Sequence, residues 1–174
     1  MPLPLVWLGA GVAAFYAGSQ LLREQQKSKG HIKHFPGECQ RSVAPVNGAV
    51  VCCGIYELFQ HSGIWMDGEI IELKGNGLVR SITPERFIDD RSGNRIYVAC
   101  DADMRALVTP NCADRAVSRI FEYQEYDLID NNCHRFTLQC VLGHDCEATR
   151  FGDLNAELNN TFNTPIHWQP IDLD

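Results

Sequence analysis

The dipeptide Asp67-Gly68 separates two apolar, β-branched segments and is the strongest local signal in the chain. Asp-Gly is a preferred pair for a two-residue hairpin turn, because both turn positions need positive φ angles. Residues 63–66 before the turn and the alternating run 69–73 after it are therefore predicted to be antiparallel strands. A two-residue turn also fixes the register, since Met66 must then pair with Glu69.

This register predicts that a histidine and a carboxylate share one face of the hairpin. Glu72 lies diagonal to His61, and Gly63, directly opposite Glu72, leaves room for the carboxylate to lean over it. We therefore expect a hydrogen bond between Glu72 and His61. Glu69 falls on the other face, and Glu57 lies further back along the strand, so neither is placed as well. The residues predicted to share the face are His61, Gly63, Trp65, Ile70 and Glu72.

The rest of the pattern predicts an α+β fold, with a small antiparallel sheet packed against helices. The turn signal Asn47-Gly48 precedes an apolar run, and Thr83-Pro84 marks the start of a helix. Beyond residue 162 the tail is predicted to be extended. Further strands are predicted at residues 49–53, 55–59 and 95–100, and further helices from residue 84 and at residues 113–123, 132–142 and 151–162.

Cys133 falls at the predicted start of a helix. The residues before it, Asp-Asn-Asn at 130–132, are all good N-caps, and Gly143 is a credible stop. The free N–H groups of a helix N-terminus favour a thiolate, which is the nucleophilic form of cysteine. Cys133, Phe136 and Cys140 follow an i, i+3, i+7 pattern and should face the packed side of the helix. The same pattern is also typical of an inert core cysteine.

Several motifs together resemble the lecithin retinol acyltransferase family. They are Asn47-Gly48-Ala49-Val50-Val51, His61-Ser62-Gly63-Ile64-Trp65, Glu72-Leu73 and Asn132-Cys133-His134-Arg135-Phe136, and the resemblance spans roughly residues 44–143. It implies a circularly permuted papain-like fold, in which the histidine precedes the cysteine along the chain. His61 and Cys133 match the two motif positions of the family.

Two departures from the family pattern stand out. Glu72 occupies a position where vertebrate members typically have another histidine, and His134-Arg135 replaces Glu-His after the cysteine. A glutamate can orient an imidazole and stabilise its cation equally well. The resemblance thus implies a catalytic Cys133, His61 and Glu72, but retinol specificity does not carry over.

The implied activity is a cysteine acyltransferase or hydrolase that forms a thioester acyl-enzyme on Cys133, with His61 as the base. The expected substrate is a lipid ester or amide, or another small acyl-bearing molecule, and no cofactor is implied. Two alternatives stay open. One is a cysteine amidase or peptidase of the cell-wall-peptidase type, and the other is a non-catalytic binding domain of the same fold.

Residues 3–22 form an almost uninterrupted apolar stretch, which as a helix would span roughly 30 Å. No Lys or Arg precedes it, whereas four follow between residues 23 and 33, so a membrane anchor with the catalytic domain facing the cytoplasm is predicted. A cleaved signal of a secreted or periplasmic protein and a packed or peripheral helix are the alternatives. The predicted organisation is an anchor at 1–22, a linker at 23–41, the thiol-enzyme domain at 42–146 and a C-terminal extension at 147–174.

Composition narrows the partners further. The net charge of −7 argues against nucleic acid, because no basic field would attract the phosphate backbone. Of the eight cysteines, Cys52 and Cys53 are adjacent, which favours free thiols in a reducing compartment over a secreted disulfide framework. Cys140, His144 and Cys146 lie close together, but without a Cys-x-x-Cys pair no metal site is predicted.

Overall fold

The computed structural model of the protein describes residues 18–55, 59–89, 91 and 93–172. Most of the predicted anchor, and Glu57, lie outside these residues. The described strands are β1 (Ile32–His34), β2 (Val50–Ile55), β3 (Phe59–Met66), β4 (Glu69–Leu73), β5 (Val79–Ile82), β6 (Ile96–Cys100) and β7 (Ile166–Pro170). The described helices are α1 (residues 18–28), α2 (Pro84–Ile88), α3 (Cys112–Ser118), α4 (Cys133–Leu142) and α5 (Phe151–Phe162).

The strands form one sheet in the order β1-β7-β6-β2-β3-β4-β5. Every neighbouring pair is antiparallel except β1 and β7, which run parallel. The prediction of an α+β fold with helices packed on the sheet is therefore confirmed, but the sheet has seven strands and one parallel pair, whereas a small antiparallel sheet was predicted. Within the described part of the chain, no helix has both the length and the apolar character needed to cross a membrane.

The β3-β4 hairpin has the predicted turn and register. Asp67 and Gly68 both have positive φ, at 47° and 84°, as a tight hairpin turn of this kind requires. Met66 pairs with Glu69, and the following pairs keep the same register. Because side chains alternate along a strand, this register decides which residues of the hairpin meet the helices and which do not.

The two faces of the hairpin contribute to two separate apolar clusters. Ile64, Ile71 and Leu73 pack with residues of α4, whereas Trp65 and Ile70 pack against α2 and the other face of β2. This partition matches the predicted alternation. Burial of each large aliphatic or aromatic side chain contributes about 1.5–3 kcal/mol to stability. A shift in register by one residue would remove several of these contributions together, because it would turn every side chain of the strand to the other face.

Helix α4 also has the predicted bounds. Asn132 is its N-cap, and Gly143, with a φ of 76°, ends it. Cys133, Phe136 and Cys140 are all buried, as their spacing predicted. Helix α4 packs on β3, where Ser62 contacts both His134 and Thr137.

The prediction for the helix at residues 113–123 was wrong in its extent. Helix α3 ends at Ser118, and Phe121 adopts a φ of 72°, which an α-helix cannot contain. The Phe121 N–H instead donates to the carbonyl of Val79 in β5. This backbone contact takes the chain along the edge of the sheet toward α4.

Three strands, β1, β5 and β7, were not among those predicted. The predicted linker, residues 23–41, contains the end of α1 and all of β1. The predicted extension, residues 147–174, contains α5 and β7. Ile32 of β1 and Trp168 of β7 are almost fully buried. Both segments therefore contribute to the core of the described body.

Candidate active site

His61 and Glu72 form a buried pair on the β3-β4 hairpin. The Nε2 atom of His61 is 2.6 Å from Oε2 of Glu72, and Glu72 is fully buried. A Cβ atom added at Gly63 would come within 2.7 Å of Ile70 Cγ2 and 2.8 Å of the Ile71 carbonyl oxygen, both on β4. The predicted hydrogen bond between Glu72 and His61 is present, and the lack of a side chain at Gly63 lets β4 pack closely against β3 beside it.

Two arginines complete the surroundings of Glu72. Arg80, directly opposite it on β5, places Nε 2.8 Å from Oε1, and Arg91 places Nη2 3.1 Å from Oε2. Burial alone would raise the pKa of Glu72, but His61 and the two guanidinium groups lower this pKa to about 2. Glu72 is therefore a carboxylate throughout the neutral range.

Cys133 meets this pair at the N-terminus of α4. Its thiol is buried, and the imidazoles of His134 and His61 both act on it electrostatically. Burial would raise the pKa of the thiol, yet the two imidazoles hold it well below its usual range.

The same contacts make His61 strongly basic. Burial by itself would lower the pKa of His61, but the Cys133 thiolate and the Glu72 carboxylate raise it to about 9. A thiol pKa below the imidazole pKa means that the proton resides on His61 at neutral pH. Both shifts favour the thiolate–imidazolium form of the pair, an arrangement suited to nucleophilic attack on a carbonyl carbon.

Asn132 fixes the position of Cys133. Its Oδ1 accepts hydrogen bonds from the backbone N–H groups of His134, at 3.0 Å, and Arg135, at 3.4 Å. Its Nδ2 donates to the carbonyls of Leu128, at 2.9 Å, and Thr149, at 2.8 Å. The buried side-chain amide of Asn132 thus connects the start of α4 to the loop before the helix and to the loop after it.

A second imidazole, that of His134, packs on the opposite face of β3 from His61. Its Nδ1 is 2.8 Å from Oγ of Ser62, which in turn is 3.0 Å from Oγ1 of Thr137. The sequence drew attention to His134 only as a departure from the family pattern. The structure places it beside the thiol, in a buried polar network of its own.

Sequence reasoning missed Arg80, Arg91 and Tyr126. Burial and the nearby Cys133 thiolate raise the pKa of Tyr126 to about 12, so its hydroxyl stays protonated at neutral pH. Prediction of β5 would have placed Arg80 opposite Glu72. Arg91 follows a short helix, and no local pattern indicates its contact with the hairpin.

The other cysteines differ from Cys133. All eight are free thiols. Burial raises the pKa of Cys53 and Cys112 to about 11 and that of Cys100 and Cys140 to about 12. These thiols are expected to react slowly at neutral pH, because the thiolate is the reactive form.

The cysteines and histidine considered as metal ligands do not converge. Cys140 is buried in the core, whereas His144 is exposed and contacts the backbone carbonyl of Asp145. In the part of the chain that the structure describes, no group of three or more His, Cys, Asp or Glu side chains is arranged to hold a metal ion.

The fold and the site together define an α+β protein with a buried cysteine, histidine and glutamate where a helix N-terminus meets an antiparallel sheet. Comparisons with protein-family models, with curated proteins and with solved structures returned no match. The relationship to the lecithin retinol acyltransferase family therefore stays a prediction that depends on the motifs.

Proposed function

We propose that the protein is a thiol-dependent acyltransferase or hydrolase that forms a thioester acyl-enzyme on Cys133. The observation that carries the proposal is a buried thiol whose pKa is lowered by imidazoles, one of which, that of His61, lies 2.6 Å from a buried carboxylate. In this proposal the fold is a circularly permuted papain-like one, as the resemblance to the lecithin retinol acyltransferase family implies.

The reaction would proceed in two halves. The Cys133 thiolate attacks the carbonyl carbon of an ester or amide and forms a C–S bond. The C–O or C–N bond then breaks, and the leaving group takes the proton from the His61 imidazolium. In the second half, His61 accepts a proton from water, an alcohol or an amine as that acceptor attacks the thioester, and the C–S bond breaks to restore the thiolate.

Exposed apolar side chains beside the site favour a lipid as the acyl donor. Leu128 is 70% exposed and Ile129 is 74% exposed, and the carbonyl of Leu128 is bound by the N-cap residue Asn132. Apolar side chains at a loop tip next to a nucleophile are suited to contact with acyl chains. A membrane anchor at residues 1–22, with the catalytic domain on the cytoplasmic side, would hold the site near such substrates.

Mass spectrometry of the full chain tests the proposal. The protein is incubated with phosphatidylcholine vesicles or with cell-wall muropeptides, quenched in acid and digested. We expect a fatty-acyl mass on Cys133 after the phospholipid incubation, its absence in His61→Ala, and its retention in Cys146→Ala, which removes a half-buried thiol.

Two other outcomes would change or reject the proposal. A muropeptide-derived mass on Cys133 would replace the lipid substrate with an amide of the cell-wall type. The catalytic proposal would fail if two results were found together. Neither substrate would give an adduct, and iodoacetamide at pH 7 would label Cys133 no faster than Cys146. The non-catalytic binding domain would then be the better description.

A further inference from the structure

Two cations share one oxygen of Glu72. The Nε2 atom of His61 lies 2.6 Å from Oε2, and Nη2 of Arg91 lies 3.1 Å from the same atom. Arg80 instead binds the other oxygen, with Nε 2.8 Å from Oε1. Arg91 therefore competes directly with His61 for the negative charge of Glu72, whereas Arg80 does so from the far side of the carboxylate.

Arg91 is held in place by contacts that have no role in binding Glu72. Its guanidinium carbon lies 4.9 Å from the centroid of the Phe87 ring, and Nη1 donates to the carbonyl of Phe87 and lies 3.5 Å from Sγ of Cys53. The Phe87 ring also packs against the imidazole of His61, with ring centroids 5.2 Å apart. With its side chain only 15% exposed, Arg91 is a fixed cation close to His61.

We propose that Arg91 is a positioning residue that weakens the hold of Glu72 on the His61 proton, by binding the same carboxylate oxygen. This inference rests on the proposed function, because it assigns Arg91 a task in that reaction. A buried Glu72 with no second cation on Oε2 would stabilise the imidazolium so strongly that it would protonate a leaving group poorly. Arg91 keeps the imidazolium acidic enough for that step.

The charges around His61 are consistent with this role. The Cys133 thiolate and Glu72 both raise its pKa, and among its charged neighbours Arg91 opposes them. Cys53 lies directly across the strand pair from His61, but its thiol stays neutral because burial raises its pKa to about 11. Among the described residues, the titratable and charged groups around His61 are Cys53, Glu72, Arg80, Arg91, Tyr126, Cys133 and His134.

The test is an NMR titration of His61 in the full chain, labelled with ¹³C-histidine and kept in an ester-free detergent, which supplies no acyl group to Cys133. Loss of the charge in Arg91→Gln is expected to raise the pKa of His61 by about one pH unit or more, a tenfold change in its proton affinity. Arg80→Gln, which removes an equal charge from the other oxygen, is expected to produce less than half that shift. Arg91→Lys, which keeps the charge, should restore the wild-type titration.

The outcomes separate this inference from the proposed function. Equal shifts in Arg91→Gln and Arg80→Gln, or no shift in Arg91→Gln, would overturn the role of Arg91 even if acyl transfer occurs. A shift confined to Arg91→Gln in a protein that forms no acyl-enzyme would support the electrostatic role and reject the reaction. Where turnover is measured, the alkaline limb of kcat/KM should move with the pKa of His61.

Discussion

Replacement of Glu72 by glutamine tests whether this carboxylate holds the site together. The substitution keeps the shape of the side chain but removes the charge that His61, Arg80 and Arg91 share. The new amide also places an NH₂ group where one of the three cations now donates. Glu72 is fully buried, so water has no direct access with which to compensate for the lost contacts.

The expected loss can be derived in two ways. The pKa of Glu72 falls from 4.5 to about 2 on folding, which corresponds to about 3 kcal/mol of stability at neutral pH. Removal of one partner from a buried ion pair typically costs about 3–5 kcal/mol. Arg80 and Arg91 are partly exposed and recover some hydration, so we expect a loss near 3 kcal/mol.

Urea unfolding followed by circular dichroism measures this loss, and Glu69→Gln is the matched control. Glu69 begins the same strand but is exposed, and its side chain accepts a hydrogen bond from Ser81 at 2.6 Å. We expect this control to change the free energy of unfolding by less than about 0.5 kcal/mol. Equal unfolding midpoints for the two variants would refute the assignment of Glu72 as the centre of the cluster.

The pH dependence of the free energy of unfolding below pH 6 gives an independent check. Because folding lowers the pKa of Glu72, its contribution is complete above pH 4.5 and is lost as the pH falls through about 2. The difference in stability between the wild type and Glu72→Gln should therefore be constant near pH 6 and shrink toward pH 2. A difference that stays constant down to pH 2 would contradict the ionised state assigned to Glu72.

Two further substitutions probe how the site is positioned, each by chemical denaturation against a neighbouring control. Asn132→Ala removes the N-cap of α4 and the two hydrogen bonds that its side-chain amide donates. It should lower the free energy of unfolding by about 2–3 kcal/mol. The control Asn131→Ala affects no helix cap and should lower it by less than about 1 kcal/mol. Gly63→Ala would bring a Cβ within 2.7 Å of Ile70 Cγ2 and should lower the free energy of unfolding by about 1–3 kcal/mol. The control Gly75→Ala places its Cβ in open space and should lower it by less than about 0.5 kcal/mol. Equal losses within either pair would contradict the corresponding contact.

The parts of the site that could be predicted from the sequence are those fixed by local geometry. Asp67-Gly68 determines the turn, the turn determines the register, and the register places His61 and Glu72 on one face. In the same way, Asn132 and Gly143 determine the two ends of α4. Each of these steps depends on residues only a few positions apart, where turn and capping preferences are strong.

The missed parts depend on contacts between distant segments. β1 is three residues long and pairs with β7, more than 130 residues later in the chain, so no periodicity could indicate either partner. Arg91 reaches Glu72 from a loop after α2. A lone arginine in a loop is ordinarily a solvated surface residue, and only the tertiary fold shows that this one is buried against a carboxylate.

The strand order has a consequence for biosynthesis. β7 lies between β1 and β6, so the segment that contains β1 acquires its partner in the sheet only after every other described strand has been made. During translation, β1 and the helix before it would emerge early and wait without that partner. Ribosome-bound chains that stop before residue 166 should therefore expose Ile32 to a protease that cannot reach it in the finished fold.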